Sequence, residues 1–157
     1  MGISVIMKFI SKNEKDTFNF AKKFAGQLQG GEVLCLIGDL GAGKTAFTKG
    51  LAAGLGIKNT ITSPTFVLMK NYKVTSSSPL RKGRLGGVNI KHLAHIDAYR
   101  LSGGEHLFGI GAEDYFNHPE CVTVIEWADR VKDIWPEKVI KIEFKIGKGD
   151  KREIKII

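Results

Sequence analysis

Eight consecutive residues, Gly38-Asp39-Leu40-Gly41-Ala42-Gly43-Lys44-Thr45, have the types and the spacing to hold a phosphate. They read G-x-x-x-x-G-K-[ST], a loop whose glycines let successive backbone N–H groups turn inward around an anion. Lys44 can reach the β- and γ-phosphates of a nucleotide, and the Thr45 hydroxyl can ligate Mg²⁺. The flanks agree with this chemistry. Val33-Leu34-Cys35-Leu36-Ile37 is a short apolar run of the kind that forms a buried strand, and residues 46–55 carry apolar side chains at helical spacing. The loop therefore opens onto a helix N-terminus, whose free N–H groups and positive dipole end favour an anion. That frame separates it from a glycine-rich turn that binds nothing.

A P-loop works with a carboxylate at the end of a neighbouring strand, where it holds Mg²⁺. Two are placed for this: Asp97 closes the run His92-Leu93-Ala94-His95-Ile96, and Glu126 closes Val122-Thr123-Val124-Ile125. Ligands of open α/β sheets sit beyond the carboxyl ends of the strands, so both can face the same phosphates. One can anchor the metal while the other orients the attacking water. Ser63-Pro64-Thr65 stands where a loop that senses the γ-phosphate would lie, with the Thr65 hydroxyl offered to Mg²⁺ or phosphate. Arg100 has two readings, positive charge for the transition state or a salt bridge on the next helix. Trp127 is either a core residue or an aromatic anchor for a partner. His92 and His95 read as packing or hydrogen-bonding residues, because nothing pairs them with a nucleophile. Cys35 and Cys121 sit in apolar runs and read as reduced core thiols, and no Cys/His spacing suggests zinc. No Asn-Lys-x-Asp guanine motif occurs, and Asp97-Ala98-Tyr99-Arg100 lacks the glycine of Asp-x-x-Gly, so ATP is expected rather than GTP.

The elements that must position these groups follow from periodicity and punctuation. Residues 5–10 read as a strand. Ser11-Lys12-Asn13-Glu14 has the S-x-x-E form of a capping box and predicts a helix to Leu28, ended by Gly30-Gly31. After the P-loop unit come a turn around Pro64, strands over 66–74 and 88–96, and one or two short helices over 102–116 broken by Gly109 and Gly111. Residues 121–125 are a buried strand, and residues 128–134 are a short helix that stops before Pro136. Residues 139–146 and 152–157 alternate like a hairpin across Gly147-Lys148-Gly149-Asp150. With 157 residues the chain is expected to be a single α/β domain over 1–157, a P-loop NTPase-type three-layer sandwich with a mixed sheet and an antiparallel C-terminal hairpin. No apolar run is long enough to span a membrane, and the N-terminal residues lack the apolar core of a signal peptide, so a cytoplasmic protein is expected.

Charge is uneven. The net charge is +8, and between Leu40 and Ile96 there is no Asp or Glu. That segment carries Lys44, Lys49, Lys58, Lys70, Lys73, Arg81, Lys82, Arg84 and Lys91, while the rest of the chain is close to neutral. A basic stretch around a phosphate site suits a nucleotide or a nucleic acid; it also suits a solvated surface. Residues 75–87, with three serines, Pro79 and three of these cations, read as a loop.

Four pieces in order, the P-loop, Ser63-Pro64-Thr65-Phe66, His95-Ile96-Asp97-Ala98-Tyr99-Arg100-Leu101 and Ile125-Glu126-Trp127, make the chain resemble the TsaE (YjeE) family over nearly its whole length. The resemblance implies a small bacterial ATPase of tRNA threonylcarbamoyladenosine synthesis, one that supports the transferase TsaD and its partner TsaB without being the transferase. It implies that Lys44 and Thr45 bind phosphate and Mg²⁺, that Asp97 binds Mg²⁺, and that Thr65 and Glu126 serve catalysis. The 75–87 stretch is longer and more basic than the family's usual connection, and the tRNA on which that pathway acts is a candidate for its charges. A small-molecule or nucleoside kinase of the P-loop class is the alternative, although only Arg81 and Arg84 lie in a plausible lid. A nucleotide-gated binding module without useful turnover is the third reading.

Overall fold

The computed structural model describes residues 7–75 and 89–157. The chain runs β1 (Met7–Ser11), α1 (Glu14–Phe24), β2 (Val33–Ile37), α2 (Lys44–Leu55), β3 (Met69–Lys73), β4 (His92–Asp97), α3 (Glu105–Gly109), β5 (Cys121–Glu126), β6 (Ile140–Ile146) and β7 (Arg152–Ile156). Short 3₁₀ helices cover Ala25–Gln27, Ala112–Tyr115 and Ala128–Ile134. The seven strands form one sheet in the order β1-β7-β6-β2-β5-β4-β3. The central strands β6, β2, β5 and β4 are parallel, whereas β3 at one edge and β7 on the other side pair antiparallel. A mixed sheet with an antiparallel C-terminal hairpin is what the sequence predicts.

Period-2 alternation on the central strands feeds two apolar layers. Leu34 and Leu36 of β2 face a core shared with α1 and α2, while Val33 and Cys35 face a second core with Leu107, Ala112, Val131 and Ile134. Both faces of the parallel strands are thus covered, which is why these strands read as unbroken apolar runs. Burial pushes the Cys35 thiol up to about 12 and raises that of Cys121 as well, so both are inert core groups. On the first face, α2 presses directly onto α1. A Cβ at Gly50 would stand 2.2 Å from the Phe18 carbonyl oxygen, and one at Gly54 would stand 2.4 Å from that of Lys22. The two backbones meet where only hydrogen fits, and this seats α2 firmly behind the phosphate loop.

Several boundaries differ from the sequence expectation. The N-cap of α1 is Asn13, whose side chain accepts from Asp16 N at 2.8 Å, while Asp16 accepts from Lys12 N at 3.0 Å. The cap is therefore displaced by two residues from Ser11, whose buried hydroxyl donates to the Asn13 carbonyl instead. The helix ends at Phe24 and continues as a 3₁₀ turn only to Gln27. Strand β3 starts at Met69, not Phe66. The preceding residues turn, with Leu68 N donating to Pro64 O at 2.8 Å and Leu68 at φ 65°. Strand β4 starts at His92. Of the 75–87 loop, only Thr75 falls within the described residues. No helix among the described residues is long and apolar enough to cross a membrane.

Candidate functional site

The carboxyl ends of β2, β4 and β5 open into one cleft of about 560 Å³. Its floor is the loop between β2 and α2. Gly43 caps α2 at φ 107°, a conformation open to glycine, and so turns the first N–H groups of the helix toward the cleft. No acidic side chain stands in the first turn of α2 to compete with an anion. A Cβ at Gly41 would meet nothing within 4 Å, so this part of the loop faces open space.

Lys44 is almost fully buried. Its ammonium donates to the carbonyl oxygens of Gly38 and Asp39 and lies 4.0 Å from the centroid of the Trp127 ring. Loss of water lowers its pKa below 10.5, against the pull of Glu126, Asp129, Asp39 and Asp97. Trp127 adopts φ 59°, rare for a bulky residue, and this turns its ring back over Lys44 and beside Tyr99 at 4.9 Å. Trp127 thus packs against the second core and at the same time forms a wall of the cleft.

The two strand-end carboxylates stand side by side, because Asp97 and Glu126 are register partners in the β4–β5 pair. Glu126 accepts from the Thr45 hydroxyl at 2.9 Å. Its other oxygen meets His95 Nε2 at 2.6 Å. Asp97 accepts from the hydroxyls of Ser63 and Thr65, the latter at 3.2 Å, and from Tyr99 N at 2.9 Å. Lys44, Thr45, Thr65, Asp97 and Glu126 therefore converge as expected, with the rest of the Gly38–Thr45 loop beneath them. Arg100 does not join them; it lies over the exposed ring of Phe66 at 4.6 Å and is not among the residues lining the cleft.

Sequence reading missed three contributors. Ser63 bonds Asp97 as Thr65 does. His95 stands behind Glu126. Arg152 of β7 donates to Gly41 O at 3.1 Å and to Gly149 O and Lys151 O, tying the C-terminal hairpin to the phosphate loop. Nothing local could reveal the Arg152 contact, which joins residues 111 positions apart.

The donor set fits a magnesium-bound phosphate. Thr45, Ser63 and Thr65 hydroxyls and the Asp97 and Glu126 carboxylates are hard oxygen donors, the kind Mg²⁺ takes. Among the described residues no group of three or more His, Cys, Asp and Glu forms a metal cage. An ion here would complete its shell from phosphate and water, as is usual for Mg²⁺ at nucleotide sites.

The model of the family described as threonylcarbamoyl adenosine biosynthesis protein TsaE matches residues 11–154. The chain belongs to the TsaE family. Among curated relatives, the tRNA threonylcarbamoyladenosine biosynthesis protein TsaE of Treponema pallidum is 39% identical over 150 residues, covering 96% of this chain and 99% of that one. TsaE of Bacillus subtilis is 36% identical, covering 94% and 83%, and TsaE of Aquifex aeolicus is 35% identical, covering 98% of both. The crystal structure of Bacillus subtilis YdiB superposes with a TM-score of 0.74 at 32% identity, covering 99% of this chain and 87% of that one. The cleft lies within the segment that the TsaE model matches.

Proposed function

We propose that the chain binds ATP with Mg²⁺ in this cleft and hydrolyses it to ADP and phosphate, in support of threonylcarbamoyladenosine formation in tRNA in the cytoplasm. TsaD, the transferase, and TsaB are the partners it serves. The observation that carries the reading is the convergence of Glu126 and Asp97 on the Thr45 end of a P-loop whose helix has no acidic residue of its own in the first turn. Thr45 and Asp97 are the groups to hold the metal, with Glu126 beside them through the Thr45 hydroxyl. When bound, Mg²⁺ neutralises charge on the phosphates. Lys44 exchanges its bonds to the Gly38 and Asp39 carbonyls for phosphate oxygens, a trade favoured because burial makes its charge costly until an anion answers it. Glu126, an acceptor at the carboxyl end of β5, orients the attacking water, and Thr65 offers its hydroxyl to the γ-phosphate end.

Phosphate release from Mg-ATP, by the chain alone and then with TsaD and TsaB, tests the reading. Slow turnover alone, stimulated by the pair and with no phosphorylated acceptor, is expected. A phosphorylated small molecule in place of free phosphate would move the chain to the P-loop kinases, and no turnover in either setting overturns the reading. Arg81, Lys82 and Arg84, within a segment free of acid, support a contribution to holding tRNA near the assembled complex. Neutralising all three should weaken tRNA association and flatten its salt dependence, by about 0.7 to 0.9 in slope for each phosphate that the variant no longer neutralises.

A further inference from the structure

His95 lies within the sheet, one step below the site. In β4 the side chains of Leu93, His95 and Asp97 share a face, and in β5 so do those of Val122, Val124 and Glu126. Leu93, Val122 and Val124 belong to the apolar layer beneath α1 and α2. His95, beside Val124 in the register, therefore stands at the border between that layer and the carboxylates. It has no exposed surface, and its Nε2 meets Glu126 Oε2 at 2.6 Å. An ionised carboxylate only accepts hydrogen bonds, so the contact requires the proton on Nε2. The other ring nitrogen, Nδ1, is buried and has no hydrogen-bond partner among the described residues. Among the described residues the imidazole is thus held in place by packing and by a single polar contact, and that contact is Glu126.

Glu126 is shared between two neighbours in consequence. Oε2 is taken by His95 below, and Oε1 faces the Thr45 hydroxyl at 2.9 Å. A carboxylate held at one oxygen cannot rotate to present the other, so a single oxygen is directed to the cleft. We propose that His95 is a positioning residue for hydrolysis: by occupying Glu126 Oε2 it fixes Oε1 at the Thr45 end of the cleft, where the attacking water must be oriented. The proposal rests on the reading of Glu126 as the group that orients water. Orientation of the reacting groups acts on turnover, whereas the phosphates are held by Lys44, Thr45 and the loop backbone.

The test compares variants by reach and by donor. His95→Met keeps an apolar filling and removes the donor. His95→Asn keeps an amide that is too short to reach Glu126. His95→Gln places an amide nitrogen about where Nε2 stands. ATP hydrolysis by the full chain should fall roughly 10- to 100-fold in His95→Met and His95→Asn. His95→Gln should recover most of that loss, while the affinities of all three for ADP, by calorimetry, stay within about threefold of the parent. Thermal melting checks that each variant is folded, and His95→Asn serves alone if His95→Met is not. In a Glu126→Gln background the same His95 changes should have little further effect on turnover, because their action passes through Glu126. Turnover within about twofold of the parent in His95→Asn would overturn the proposal, and so would equal losses in His95→Gln and His95→Asn, a parallel loss of ADP affinity, or additive effects in the Glu126→Gln background. A parent chain that hydrolyses no ATP would instead remove the function from which the proposal starts.

Discussion

The two walls of the cleft are built differently. On one side the phosphate loop grows out of β2 into α2, and α2 is pinned to α1 through backbone contacts at Gly50 and Gly54. Lys44, Ala46, Phe47 and Thr48 are buried, and Arg152 holds the loop from the other flank. On the opposite side Ser63 and Thr65 sit on a turn that projects Phe66 (84% exposed) and Val67 (58% exposed) into solvent. That turn is tied to the sheet by Leu68 O accepting from Asp97 N at 3.0 Å and by the two hydroxyls on the Asp97 carboxylate. The difference teaches how the site divides its work. The wall that cradles the phosphates rests on a closely packed helix pair before any ligand arrives. The wall that supports Asp97 carries the exposed Phe66 and Val67, and it is the part whose geometry can answer to the metal and the γ-phosphate.

Substitutions on the two walls should therefore separate binding, turnover and stability. The largest effect is expected at the strand ends: Glu126→Ala should lower ATP turnover roughly 10²- to 10⁴-fold with ADP affinity retained. Asp97→Ala should instead weaken magnesium-dependent nucleotide binding, by roughly tenfold or more, in calorimetry with and without the metal. Exchanged phenotypes would reverse the two roles. Next, Gly50→Val forces a branched side chain against the Phe18 carbonyl and should destabilise the chain by about 3 kcal/mol in denaturant unfolding; a neutral result would mean that the phosphate-loop wall is not set by this contact. Ser63→Ala and Thr65→Ala each remove one hydrogen bond from Asp97 and should weaken Mg-ATP binding by about tenfold at most, in line with about 1 kcal/mol per bond. The smallest effect belongs to Phe66→Ser, which should leave stability within about 0.5 kcal/mol of the parent.

The same contrast explains what the sequence made legible. The phosphate-loop wall is contiguous: strand, glycine loop and helix lie within residues 33–55, so types and spacing alone announce it. Strand ends are nearly as clear, because Asp97 and Glu126 each break an apolar run, and the parallel register then places them side by side. Other features depend on distance in the chain or on competition between neighbours. Arg152 reaches Gly41 only after β7 has entered the sheet. The α1 cap moves from Ser11 to Asn13 because folding buries the Ser11 hydroxyl against Thr17 at 2.7 Å. The shortened β3 follows from the positive φ of Leu68, a conformation no propensity scale assigns to leucine. His95 hides for a related reason: among apolar residues it reads as packing or hydrogen-bonding, and only the folded sheet shows that its partner is Glu126.

The central claim is that this cleft is a magnesium–nucleotide site centred on Lys44. Calorimetric titration of ATP into the chain tests it most directly, with excess Mg²⁺ and again with the metal chelated, for the parent and for Lys44→Ala. Saturable binding that weakens on chelation and vanishes in a folded Lys44→Ala variant is the expected result, since Lys44 supplies the only ammonium tied to the Gly38 and Asp39 carbonyls of the loop among the described residues. Equal binding by parent and Lys44→Ala, or no saturable binding by the parent, would contradict the claim.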